Sequence, residues 1–221
     1  MKRPLALAAA ALLLALHQAA LAQASCSSEG QAAPTALLER FISADCEACW
    51  TDAHAALPRP GAVALDWIVP GAGGDDAPLS AAARQDGLDR LQAIGRAMAP
   101  TTPLPTTLLP LRVARGPALG GYIGTSIALQ AATDAVYGPL TAWLALVETI
   151  PAGADGTAIE RNLVRNTLVL DWSAPGEHAE IRPLSVPAGA QAARLRVIGW
   201  VEDASARVVA VAQSVCVPAD E

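Results

Sequence analysis

The sequence predicts an α+β fold: a strand–helix–strand–helix unit with a parallel crossover, followed by a β-rich antiparallel region. Three observations predict it. Strand-like and helix-like segments alternate from Ala36 to about Val113, the pattern of a crossover between parallel strands. Beyond Gly116, short apolar runs recur between Pro- and Gly-containing turns, the texture of an antiparallel sheet or small sandwich. The 221 residues are 52% hydrophobic and 16% charged, too apolar for a disordered chain and enough for a substantial core.

Taken in order, Lys2 and Arg3 precede the apolar run Leu5–Leu16, and Ala20-Leu21-Ala22 is a small-x-small site before Gln23. This is the pattern of a secretory signal peptide over residues 1–22, too short for a spanning helix. Gln23, not an apolar residue, stands three before Cys26, which argues against a lipoprotein anchor there. Ala36–Ile42 reads as a strand. Cys46–Leu57 reads as a helix, with Asp45 placed to cap it and Pro58 ending it. Ala62–Val69 is a second strand between Pro60-Gly61 and Pro70-Gly71. Leu79–Met98 is an amphipathic helix through Leu88, Leu91, Ile94 and Met98. Thr106–Val113 looks extended. Ala118–Val136 is mixed, helical in its second half. Five strands then follow at Ala142–Ile150, Leu163–Trp172, Ala179–Leu184, Ala192–Val201 and Arg207–Val215. The expected domains are 23–116, bearing the cysteine pair, and 117–221, the β-rich region packed on it.

Four cysteines, Cys26, Cys46, Cys49 and Cys216, allow three pairings, and the leader implies an oxidising compartment. The two-residue spacing predicts a Cys46–Cys49 bridge of redox-active geometry. It leaves Cys26 and Cys216, near opposite chain ends that often meet on a domain surface, as a structural disulfide. Two purely structural bridges remain the competing expectation.

A strand followed by Asp45-Cys46-Glu47-Ala48-Cys49-Trp50 at a helix start resembles the thioredoxin superfamily. The chain also looks like a narrower group of secreted bacterial thioredoxin-like proteins of unknown function. That likeness runs through Leu38–Cys49, Arg84-Gln85, Ala142–Val147, Asn162, Arg165 and Val208–Gln213. It departs at Trp50-Thr51, where the group has prolines, and at Asp66-Trp67-Ile68-Val69. Leu104-Pro105-Thr106-Thr107 resembles the segment whose cis-proline faces the disulfide in thioredoxins, with Pro103 as the competitor. The resemblance implies a thioredoxin-like first domain and thiol–disulfide exchange on envelope protein clients. It assigns Cys46 as the attacked sulfur, Cys49 as the resolver and Pro105 as the residue presenting the client backbone; Cys49, one turn into the helix, is expected to be shielded by Trp50 and the following strand. No organic cofactor is implied. The alternative is a non-catalytic envelope binding or assembly module.

Charge narrows the partners. The formal charge is −6. Lys2, the only lysine, and Arg3 lie in the leader; without them 13 basic residues face 21 acidic ones, a charge of −8. Such a surface repels nucleic acid, and no later segment has the unbroken apolar length of a membrane span. His54 near the cysteine pair lacks the further ligands a tetrahedral zinc site requires, so no metal is expected. Asp45 and Glu47 flank Cys46 and oppose its thiolate. Trp50 and Trp67 are candidates to cover the disulfide.

Overall fold

The structure is a computed structural model describing residues 26–95, 101–103, 109–129, 138–174 and 177–216. The leader 1–22, Pro105 and the helical stretch expected near residue 136 lie outside the described residues.

The strands are β1 (Cys26–Ser27), β2 (Ala36–Ser43), β3 (Ala62–Val69), β4 (Thr101–Pro103), β5 (Leu111–Leu119) and β6 (Tyr122–Leu129). After them come β7 (Leu140–Ile150), β8 (Arg161–Trp172), β9 (Ala179–Ser185), β10 (Leu195–Asp203), β11 (Val208–Gln213) and β12 (Val215–Cys216). Among the described residues there are two α-helices, α1 (Glu47–Thr51) and α2 (Gln85–Ile94). One sheet has the order β12-β1-β5-β6-β9 and the other β11-β10-β7-β8-β3-β2-β4. Strands from both sides of residue 116 share each sheet.

This architecture corrects the predicted fold class. The chain is mostly β, two curled sheets, and not a thioredoxin-like α+β domain with a β-rich region appended. The crossover itself is present: β2 and β3 pair in parallel from Ala36↔Ala62 to Ser43↔Val69. What differs is their surroundings. Of the segment Thr106–Val113 the structure describes residues 109–113, and these do not join them; β5 pairs with β1 and β6 in the other sheet. The other neighbour of β3 is β8, parallel at Asp66↔Leu163, and β4 closes the edge antiparallel to β2. Both helices are also shorter than predicted. Asp52 Oδ1 accepts the His54 N–H at 2.8 Å, a local turn that competes with helix continuation after Thr51. The segment before Gln85 forms a 3-10 turn at Ser80–Ala82, and the Arg84 N–H donates to the Ile68 carbonyl at 2.8 Å.

The alternating side chains of the larger sheet build three apolar clusters. On one face Leu37, Phe41, Leu65 and Trp67 pack with Trp200 beneath Leu88, Leu91 and Ile94 of α2. The opposite face is divided. Leu144, Val197 and Val201 pack on Val113, Ile123 and Ile127 of the five-stranded sheet, whereas Ile42, Ile68, Ile150 and Leu163 pack on Trp50 of α1. Under α2, Arg90 donates to both Glu39 and Glu202 at 2.5–3.0 Å and lies over the rings of Trp143 and Trp200. Burial lowers the pKa of this guanidinium, but the two carboxylates outweigh it and hold Arg90 above its ordinary value.

Cys26 and Cys216 face each other across the β1–β12 pair and are bridged, with Cα atoms 4.0 Å apart. Cys26 is fully buried, and Arg115 Nη2 donates to Cys216 Sγ at 3.3 Å. This bridge spans 190 positions, a closure for which the chain-entropy model gives about 5 kcal/mol.

Two outcomes are expected from this packing. Replacing Cys26 and Cys216 together by Ser should lower stability by about 2–5 kcal/mol, read as a lower denaturant midpoint with an unchanged far-UV spectrum. Gly199 of β10 sits where a Cβ would meet Val113 Cγ1 at 2.6 Å and Ile127 Cδ1 at 3.0 Å. Gly199→Ala should therefore push the sheets apart and cost about 1–3 kcal/mol in the same unfolding experiment.

Candidate functional site

The site lies where β2, β3 and β8 meet below α1. Cys46 and Cys49 are bridged, with Cα atoms 5.3 Å apart. Cys46 is the residue before the first turn of α1, and its carbonyl accepts the Cys49 N–H at 3.1 Å and the Trp50 N–H at 3.4 Å. Asp45 does not cap the helix as the sequence predicts. Its carboxylate accepts the N–H groups of Ala72 at 2.7 Å and Gly73 at 3.0 Å, fixing the approach to Cys46. Only glycine fits at position 71, where a Cβ would stand 2.2 Å from Asp45 Oδ2.

Beneath α1 is a buried charge cluster. Asp66 of β3 is fully buried, and each of its oxygens accepts two hydrogen bonds. Oδ1 takes Arg40 Nε at 2.8 Å and Arg161 Nη1 at 3.0 Å; Oδ2 takes Arg40 Nη2 at 2.7 Å and the Asn162 N–H at 2.8 Å. The guanidinia then reach the loops above. Arg40 donates to the Ala56 and Glu160 carbonyls, and Arg161 Nη2 to the carbonyls of Cys49 at 3.2 Å and Trp50 at 3.0 Å. Two guanidinia around one carboxylate leave a surplus positive charge beside the disulfide helix.

Trp50 completes the support. It is buried, its Nε1 donates to the Asp155 carbonyl at 2.9 Å, and the Arg161 guanidinium lies 5.3 Å from its ring centre. Trp67 takes no part. It stacks on Phe41, 6.2 Å between ring centres, under α2 on the far side of the sheet.

The exposure of the two cysteines corrects a further expectation. Cys49 is exposed and Cys46 half-buried, so Trp50 does not shield Cys49. Beside Cys49 opens a cavity of about 440 Å³ with Ile42, Ala48, Ala55 and Ala56 in its walls, Asp52 and the two cluster arginines. A second cavity of about 300 Å³ lies against Trp50, Leu79 and Leu163, with Glu148 and Arg165 in its wall. Pro105 lies outside the described residues; among those described no peptide bond is cis. His54 is exposed, and no group of three or more His, Cys, Asp or Glu able to hold a metal exists among the described residues.

The residues that sequence reasoning missed are Asp66, Arg40, Arg161 and Trp50's anchor at Asp155. A signal existed for the first two: Asp66 is the lone charge in an apolar strand, and Arg40 forms with Glu39 a charged pair inside another. Arg161 lies 112 positions from Cys49, and no local pattern joins them.

Removing the central charge should be costly. Asp66→Asn leaves Arg40 and Arg161 buried without their counter-ion, and should lower stability by about 3–5 kcal/mol, measured by denaturant unfolding. An unfolding midpoint equal to that of the unaltered chain would contradict the role given to Asp66.

No protein-family model and no curated protein matches the chain. Among solved structures it is similar to HBP35 of Porphyromonas gingivalis, at 11% identity over 84% of this chain and 76% of that one, with a TM-score of 0.48. A protein of Agrobacterium tumefaciens is 13% identical over 87% of this chain and 97% of that one, with a TM-score of 0.39. An endonuclease/exonuclease/phosphatase from Beutenbergia cavernae is 12% identical over 48% of this chain and 23% of that one, at 0.30. At these TM-scores none of the three carries a fold or a function across to this chain.

Proposed function

We propose that this protein exchanges thiols and disulfides with protein clients outside the cytoplasm, through the Cys46–Cys49 pair. One observation carries the reading: the disulfide is open to solvent at Cys49, yet the backbone around it has supports besides the bridge. Arg161 binds the Cys49 and Trp50 carbonyls, Trp50 is anchored to Asp155, and Asp45 to Ala72 and Gly73. Opening the bridge leaves these contacts in place, so the helix can carry either two thiols or one disulfide.

Magnitudes support this reading over a structural bridge. The Cys46–Cys49 ring spans three positions, for which the chain-entropy model gives only about 2 kcal/mol. The two disulfides also differ in exposure, although each has one half-buried member, Cys216 in one and Cys46 in the other. Cys26 is buried between strands, whereas Cys49 faces solvent, and access is one determinant of exchange rate.

A location outside the cytoplasm is supported by two disulfides, which suit an oxidising compartment, and by the leader pattern at residues 1–22. Among the described residues no helix is long and apolar enough to cross a membrane. The chemistry requires only the two sulfurs and the client's own thiols.

The test is native reduction in a glutathione buffer, followed by alkylation and peptide mapping. Cys46 and Cys49 are expected to be alkylated while Cys26 and Cys216 stay bridged, with the far-UV spectrum and cooperative unfolding preserved. If the Cys46–Cys49 bridge yields only when the fold melts, it is structural and the exchange reading fails.

A further inference from the structure

We propose that Cys49, not Cys46, is the sulfur that bonds to the client, and that the client residue beside its cysteine is apolar and seats in the cavity next to Cys49. The proposal rests on the exchange reading above and specifies its entry point and substrate class.

Three independent observations converge on Cys49. The first is access: Cys49 is exposed and Cys46 half-buried, and an incoming thiolate must reach the sulfur it attacks. The second is the cavity of about 440 Å³, which has Cys49 in its wall and not Cys46. The third is charge. Arg40 and Arg161 line that same cavity, and their cluster with Asp66 carries one surplus positive charge under little solvent, faced from the cavity wall by Asp52, whose carboxylate is exposed and screened by water. Positive charge beside a cysteine favours its thiolate. Cys46, by contrast, lies between Asp45 and Glu47 and heads a helix of only five residues, too short for a full helix dipole.

The steps balance. A client thiolate attacks Cys49 Sγ. The new bond joins client and Cys49, the Cys46–Cys49 bond breaks, and Cys46 leaves as a thiolate that takes a proton from water. A second client thiolate then attacks the client sulfur of the mixed disulfide and expels Cys49 as a thiolate beside the positive cluster. The client loses two electrons to a disulfide, and the protein gains them as two thiols. In the reverse direction Cys49 is the thiolate that attacks a client disulfide.

The cavity selects the neighbouring residue. Ile42, Ala48, Ala55 and Ala56 give it apolar walls. Its two guanidinia are engaged inside the protein with Asp66, Thr157 and backbone carbonyls. With their donors taken, an acidic side chain entering past the exposed Asp52 would lose hydration and gain no hydrogen bond in return. A leucine-sized group beside the client cysteine fits this lining, and an aspartate does not.

The test uses the full chain as Cys46→Ser and as Cys49→Ser, each first shown to keep the far-UV spectrum. The probes are two activated mixed-disulfide peptides, Leu-Cys-Leu and Asp-Cys-Asp, with rates followed at neutral pH. Cys46→Ser, which retains Cys49, is expected to react at least about ten-fold faster than Cys49→Ser, the change one pKa unit makes in thiolate fraction. It should prefer the leucine probe, and adding Ala55→Trp, which fills the cavity, should erase that preference. Faster reaction of Cys49→Ser overturns the choice of sulfur. Equal rates with both probes overturn the apolar subsite. If neither variant reacts while folded, the exchange reading itself falls, which is distinguishable from the other two results.

Discussion

The carboxylate of Asp66 is the constraint around which this site is built. A fully buried charge in the middle of a strand is costly unless its lone pairs are all met and its charge balanced. Asp66 meets that condition with two arginines from different strands and one backbone N–H. The consequence is topological. Arg40 belongs to β2, Asp66 to β3, and Arg161 and Asn162 to β8. The cluster thus ties the local parallel crossover to a strand from the second half of the chain. Asn162 reinforces the seam by donating its side-chain amide to the Ala64 carbonyl at 3.0 Å.

The same cluster links fold to chemistry. Arg161 satisfies Asp66 on one side and the end carbonyls of α1 on the other. A five-residue helix has little stability of its own, so its geometry comes from below, from this guanidinium and the buried Trp50. The cluster beneath α2 has the opposite balance, Glu39 and Glu202 around Arg90. The two faces of the β2–β3 pair thus carry surplus charges of opposite sign, and the positive one lies on the side of the disulfide.

Much of the strand structure was legible. The bounds of β3 follow from Pro60-Gly61 and Pro70-Gly71, and the antiparallel strands β7–β11 from the turns between them. Both cysteine pairings were legible from spacing and from the nearness of chain ends. The helices were less so, because capture of the His54 N–H by Asp52 and anchoring of Arg84 on β3 are decided by single hydrogen bonds. The sequence reads as mixed over Ala118–Val136, although Ile123, Ile127 and Leu129 within it are buried at strand spacing. The fold class is not legible locally, because a strand–helix–strand unit does not specify which distant strand pairs beside it. That choice was made by Asp66 with Arg161 and Asn162, 95 and 96 positions away. The relative exposure of the two cysteines was illegible for the same reason.

The central claim is that the Cys46–Cys49 pair is a working redox couple on a support that does not need it. The most direct measurement is the equilibrium potential of that couple in the folded chain, titrated against glutathione buffers. One two-electron transition is expected, with a potential above about −300 mV, the region below which structural disulfides of secreted proteins typically lie. A potential well below that value, or a transition that coincides with loss of the fold, would contradict it.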